Sequence, residues 1–193
     1  RNIRTRGGSE ALSQRLALSE KLSSFFSARF PDPQVKSYRE FYDNTLRLLR
    51  SKDLDSFDLN KESSAMREKY GMGKFGQGCL LARRLVETGV RYVEVSTDGW
   101  DMHNNLESEM QDLSPAFDQA YAALISDLDD RGMLDGTLVV MATEFGRKPQ
   151  FNGNGRGHYP ICYSTVLAGG GVKRGFVHGS SDKEGAYPED PVT

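Results

Sequence analysis

The chain has 193 residues, of which 37% are hydrophobic and 27% charged, a composition typical of one globular domain with or without an appendage. Its net charge is −2 and no basic block stands out, so we expect neither a nucleic-acid partner nor attraction to an anionic membrane surface. Its apolar runs fall short of the roughly 20 residues that span a bilayer, and its two cysteines are too few for a disulfide framework.

The first 70 residues are predicted to be a helical segment. Apolar residues recur at helical spacing over Ser9–Phe30, and a second helix follows up to about Arg50. Pro31 and Pro33 mark the break between the two helices. Residues 51–70 are too polar for a core element and predict a solvated connection with one short helix, capped by Asp58 or Ser63.

The next elements predict a helix that leads directly into a strand. Gln77–Thr88 has leucines on one side and Arg83, Arg84 and Glu87 on the other, which is the pattern of a surface helix. Val90–Val95 is rich in β-branched residues and is predicted to be a strand that ends near Gly99.

The rest of the chain predicts a parallel α/β arrangement. A polar loop and a helix over Pro115–Arg131 precede Thr137–Thr143, a continuous apolar run typical of a strand buried on both faces. Strand, helix and strand of these lengths form a βαβ unit, whose strands are parallel. Ser164–Ala168 is a third candidate strand, and Val172–Gly179 is a possible edge strand.

Polar residues follow the first two of these strands. Asp101 and His103 come after the first strand, and Glu144 and Arg147 come after the second. Ligands collect at the carboxyl ends of strands in open α/β sheets, and the loop before the third strand could bring His158 to the same edge. The alternative, that Asp101 and His103 are ordinary turn residues, is open at this point.

Four motifs together resemble one family. GWDMHNN, TEFGRKP, NGRGHYP and LAGGGVKRG occur in this order, and the set is similar to an uncharacterised sulfatase-like family of bacterial proteins, a domain of unknown function within the alkaline phosphatase and sulfatase superfamily. The resemblance implies an α/β, mostly parallel sheet flanked by helices over residues 71–193, after the helical segment 1–70. It also implies that the chain is the C-terminal portion of a longer, exported or periplasmic protein, an incomplete domain.

The resemblance further implies a metal site. Asp101 and His103 match the pair that binds one metal, and His158 matches the later histidine of that metal. Glu144 is the fourth candidate metal ligand: it stands where the superfamily often has an aspartate followed by a histidine. Here Phe145, which cannot bind a metal, follows instead, so the ligands of a second metal would come from outside this chain. Gly157 stands where family members commonly carry Asp. Imidazole nitrogen and carboxylate oxygen suit zinc, manganese or iron(II), and the metal's identity is left open.

The function that the resemblance implies is metal-dependent hydrolysis of phosphate or sulfate esters of small molecules or saccharides, since a bound divalent cation polarises an ester oxygen. Arg147 is the candidate catalytic residue, because its planar fork could hold an anionic oxygen. The nucleophile is expected upstream of this chain. Two alternatives are a binding or scaffold module that keeps the fold without turnover, which Phe145 and Gly157 favour, and a purely structural α/β domain. The sequence does not determine the oligomeric state.

Overall fold

The computed structural model describes residues 8–30 and 32–189, so Pro31, which belongs to the predicted break between the first helices, lies outside the described residues. The chain divides into two compact units, Arg1–Asp55 and Ser56–Thr193. About 52% of the chain is helical, and its sheets are small.

The first unit is a pair of helices. Helix α1 spans Gly8–Arg29 and helix α2 spans Pro33–Arg50, which confirms the two helices predicted there. The side chain of Asp32 caps α2 by accepting a hydrogen bond from the backbone N–H of Gln34 at 2.7 Å. Pro33 occupies the first turn, where its missing N–H costs the helix nothing.

Short helices fill the polar connection between residues 51 and 70. They are two 3-10 helices, Lys52–Phe57 and Leu59–Lys61, and helix α3, Ser64–Lys69. Asp58 caps the second of these through the N–H of Asn60, and Ser63 caps α3. Both predicted caps are therefore used, each on a different short helix.

Two longer helices form the body of the second unit. Helix α4 spans Lys74–Glu87 and helix α5 spans Leu106–Asp130, and the two pack against each other. Helix α5 starts nine residues before the predicted Pro115, so the predicted polar loop is helical and the proline lies inside the helix. Of the described helices, none is long and apolar enough to cross a bilayer.

The core between α4 and α5 combines an apolar cluster with a buried charge network. The apolar cluster consists of Tyr70, Cys79, Leu80, Ala120 and Ala123. Beside it, Arg83 is only 1% exposed, although its position in the sequence predicted a solvated helix face. Three carboxylates surround its guanidinium, and this compensation allows the charge to be buried.

The predicted mostly parallel, alkaline-phosphatase-like sheet is wrong for this structure. Strand β1, Leu138–Met141, pairs antiparallel with β4, Val166–Gly169, and β2, Gly146–Arg147, pairs antiparallel with β3, His158–Tyr159. The described residues between β1 and β4 contain no helix, and a parallel pair needs such a crossover. The chain instead returns through the β2–β3 hairpin and pairs in the antiparallel sense.

The two predicted strands on either side of this region also differ from expectation. Residues 90–95 have no regular secondary structure and belong to neither described sheet, although Val93 and Val95 are half-buried. Residues 172–179 form no described strand. In β1 the side chains of Leu138 and Val140 are 54% and 53% exposed, so this strand is not buried on both faces. The prediction that these runs are apolar is confirmed, but the predicted pairing of their strands is wrong.

Candidate metal site

The first part of the site is a tight turn at residues 99–103. Gly99 has φ +94°, a left-handed conformation that an L-residue with a side chain rarely adopts. Trp100 then packs edge-on against Phe117 of α5, with ring centroids 5.7 Å apart. Met102 is 2% exposed, while Asp101 and His103 on either side of it point to solvent. This alternation presents the carboxylate and the imidazole on one face.

The second part is the β2–β3 hairpin. In the antiparallel register Arg147 lies opposite His158, and the N–H of Lys148 extends the ladder by donating to the carbonyl of Gly157 at 3.0 Å. Opposed residues of an antiparallel pair have neighbouring side chains. The hairpin therefore carries the arginine and the second histidine to the same place.

The loop of this hairpin fits closely against the turn. The N–H of Arg156 donates to the carbonyl of Met102 at 3.1 Å. Gly155 is buried, and a Cβ added to it would lie 2.1 Å from the carbonyl carbon and oxygen of His103. A residue with a side chain cannot occupy this position without a shift, so the glycine sets how closely the two ligand-bearing segments approach.

These contacts bring three donor atoms together. Asp101 Oδ1 lies 2.8 Å from His158 Nε2 and 3.1 Å from His103 Nε2, and the two Nε2 atoms are 3.1 Å apart. The side chains of His158, His103 and Asp101 keep 45%, 49% and 65% exposure, so an ion can enter from solvent. Among the described residues, these three form a group that could hold a metal ion.

Arg147 and Phe145 flank the three donors. Arg147 Nη2 donates to Asp101 Oδ1 at 2.7 Å and also lies 3.2 Å from the carbonyl oxygen of Trp100. The ring of Phe145 stacks on the His158 imidazole at 4.1 Å between centroids. Hydrogen bonds from His158 and Arg147 lower the pKa of Asp101 to about 2, so this carboxylate is ionised at neutral pH.

The predicted site residues thus fall into two sets. Asp101, His103 and His158 converge, with Arg147 bonded to the carboxylate. Glu144 is exposed and does not belong to this group of donors, although it lines the same open groove as Asp101 and His158. The assignment of these residues as metal ligands, and of Arg147 as catalytic, stays a prediction.

Two further residues shape the site and were not assigned a role from the sequence. Gly155 permits the close approach of the hairpin loop, and Phe145 supports His158 although it cannot be a ligand. The alternating asparagines and glycines before His158 were the available signal, since such loops are where a backbone approaches another backbone closely.

Residues 3–193 match the family model described as "Protein of unknown function (DUF1501)". The chain belongs to this family. Comparisons with curated proteins and with solved structures find no match. The family membership agrees with the expected domain of unknown function, whereas a relationship to the alkaline phosphatase and sulfatase superfamily receives no support from these comparisons.

Proposed function

We propose that this chain carries a mononuclear divalent-metal site, Asp101, His103 and His158, of a hydrolase that acts on phosphate or sulfate esters. The observation that carries the proposal is the convergence of two imidazole nitrogens and one carboxylate oxygen at separations of 2.8–3.1 Å. A divalent cation at this point would polarise an ester oxygen. The resemblance of the four motifs to sulfatase-like proteins supports the choice of ester.

The separations between the three donor atoms match those found around a bound metal ion. For an ion held about 2.1 Å from each donor, neighbouring donors lie about 3.0 Å apart in an octahedral site and about 3.4 Å apart in a tetrahedral site. The observed triangle, 2.8, 3.1 and 3.1 Å, is close to one face of an octahedron. Two histidines and one carboxylate on such a face leave other positions open for a substrate.

The chemistry of the donors also favours a cation. With their protons on Nδ1, both imidazoles present an Nε2 lone pair, and an ion at this point would replace the hydrogen bond between His158 and Asp101. The Asp101 carboxylate is ionised at neutral pH, so its oxygen can bind a cation. Burial does not oppose ion binding, because all three side chains are partly exposed.

Metal binding is tested by titration of the metal-free chain with Zn²⁺ and Mn²⁺ in a calorimeter, followed by metal analysis after gel filtration. We expect one ion per chain in the unaltered protein and none in Asp101→Ala or His158→Ala. His178→Ala is the matched control, because His178 is the third histidine of the chain and does not belong to the group. Equal metal content in all four proteins would refute the assignment of the ligands.

Ester hydrolysis is measured separately, with p-nitrophenyl phosphate and p-nitrophenyl sulfate as substrates and the same variants. Hydrolysis that requires the ion and disappears with Asp101→Ala supports the hydrolase. Stoichiometric metal without turnover of either ester would instead indicate the binding or scaffold module, in which the ion has a structural role.

A further inference from the structure

The segment Phe145–Arg147 contacts two of the three candidate ligands. The Phe145 ring lies against His158 with centroids 4.1 Å apart and planes inclined by 29°. The guanidinium of Arg147 bonds to Asp101 at 2.7 Å. The Arg147 guanidinium also lies over the Phe145 ring, 5.6 Å from its centroid, so β2 and the residue before it present both contacts on the same side.

The guanidinium of Arg147 contacts two segments of the chain besides its own strand. Besides the Asp101 carboxylate, its Nη2 lies 3.2 Å from the carbonyl oxygen of Trp100, and its Nη1 donates to the carbonyl of Arg156 at 3.2 Å. Trp100 and Arg156 precede Asp101 and His158 by one and two residues. Arg147 therefore ties together the turn and the hairpin loop that carry the ligands.

Gly146 allows this strand to lie close against residues 162–163. A Cβ at this position would be 2.6 Å from the carbonyl oxygen of Cys162 and 2.7 Å from Cβ of Tyr163. The backbone of the strand is thus fixed against residues 162–163 on one side, and its two large side chains extend toward the ligands.

We propose that Phe145 and Arg147 are positioning residues, which hold His158 and Asp101 in the arrangement that a divalent cation requires. The inference rests on the proposed metal site. Arg147 bonds to Oδ1, the same carboxylate oxygen that faces the two imidazoles, and Phe145 packs on the His158 ring. Groups that contact metal ligands in this way commonly change metal affinity by about 10–100-fold when they are replaced. Their role here is to fix the ligand side chains before the ion arrives, since ordering them afterwards would reduce the affinity.

The test uses Arg147→Lys and Phe145→Leu. Lysine keeps the charge but lacks the fork that reaches several acceptors at once, and leucine keeps an apolar contact without the flat ring. The matched controls are Arg156→Lys and Phe151→Leu, from the same hairpin, where the Arg156 guanidinium lies over the Phe151 ring at 4.6 Å. All four variants are first checked for unchanged thermal unfolding.

The Zn²⁺ dissociation constant is measured by competition with a coloured chelator, and the visible absorption of bound Co²⁺ reports the coordination geometry. We expect Zn²⁺ affinity about 10–100-fold weaker in Arg147→Lys and Phe145→Leu, with altered Co²⁺ bands, and neither change in the controls. If both folded variants keep the unaltered affinity and spectrum, the positioning role is refuted. If one of the two variants unfolds at a lower temperature than the unaltered chain, the Zn²⁺ affinity and Co²⁺ spectrum of the other variant decide the test.

A measurement without metal separates this inference from the proposed function. In nitrogen-15 NMR spectra of the metal-free chain, a His158 Nε2–H that donates to Asp101 gives a ring-nitrogen signal at a chemical shift distinct from that of a free imidazole. We expect this signal in the unaltered chain and in the controls, and its loss in Arg147→Lys and Phe145→Leu. If the unaltered chain binds no metal, the proposed function fails. The NMR signal still decides whether Phe145 and Arg147 position the ligands. Retention of the signal in both variants would refute that role.

Discussion

Replacement of Arg83 by methionine removes a buried cation from the centre of the second unit. Arg83 Nη1 donates to Glu87 at 2.7 Å, while Nη2 lies 2.9 Å from Glu62 and Nε lies 2.8 Å from Asp127. The last two are close ion pairs outside hydrogen-bond geometry. Methionine fills much of the space of the aliphatic part of the arginine side chain, but it removes the positive charge that the three carboxylates share.

The expected cost follows from what remains around each carboxylate. Removal of one partner from a buried ion pair typically costs about 3–5 kcal/mol. Here Asp127 keeps hydrogen bonds from Arg131 Nε at 2.8 Å and from Tyr70 at 2.9 Å, and Glu62 keeps its contact with Arg84. We therefore expect a cost near the lower end of that range. The free energy of unfolding should fall by about 3 kcal/mol, which corresponds to a Tm lower by about 6–12 °C.

Urea unfolding, followed by circular dichroism, measures this loss, with Arg174→Met as the matched control. Arg174 is also paired with a carboxylate, Asp135 at 3.5 Å, but these side chains are 80% and 92% exposed. Exposed pairs contribute about 0–1 kcal/mol, so the control should unfold almost as the unaltered chain does. An Arg83→Met variant within about 1 kcal/mol of this control would refute the reasoning that the network stabilises the fold.

Two more predictions concern the loop at the site and the pH dependence of stability. Gly155→Ala should lower unfolding free energy by about 1–3 kcal/mol, since its Cβ would meet the backbone of His103, and should weaken Zn²⁺ binding in calorimetry. For Asp127, burial raises the pKa but hydrogen bonds and the charge of Arg83 outweigh it, so the pKa lies below its ordinary value. The stability that this carboxylate contributes is present above the unfolded pKa of about 3.9 and is lost as the pH falls through the folded pKa. Between neutral pH and about pH 2, the Tm of the unaltered chain should therefore fall more steeply with pH than the Tm of Arg83→Met.

Each of these two predictions has its own check. Gly157→Ala is the control for the loop, because a Cβ there would meet the Lys148 side chain only at 3.7 Å, an ordinary contact. Equal effects of the two alanines would show that the close approach at Gly155 is unimportant. For the pH dependence, parallel plots of Tm against pH for the unaltered chain and Arg83→Met would show that the lowered pKa of Asp127 does not depend on Arg83.

Helices α1, α2 and α4 could be predicted from the sequence because their signals are local. The spacing of apolar residues repeats within one or two turns, and capping residues act on N–H groups two or three positions away. Asp58 and Ser63 therefore capped helices as expected. The start of α5 was missed because its first turns are polar and solvated, and because Pro115 suggested a helix start rather than a helix interior.

The candidate site was partly predictable for the same reason. Asp101 and His103 alternate with the buried Met102, and a strand-like alternation is visible in the sequence. Their approach to His158 depends on the pairing of β2 with β3, strands of two residues each, which are too short to show any periodicity. The loop glycine at 155, which permits the contact, has no signature beyond its composition.

The sequence by itself determined helices α1, α2 and α4, which runs are apolar and which side chains have metal-binding chemistry, because these properties depend on near neighbours and on residue type. The tertiary structure alone decided that β1 pairs antiparallel with β4, that Arg83 is buried, and that Arg147 bonds to Asp101. Each of these outcomes joins residues far apart in the chain. Strand pairing and charge compensation depend on which distant residues folding brings together, and the local sequence pattern does not indicate those residues.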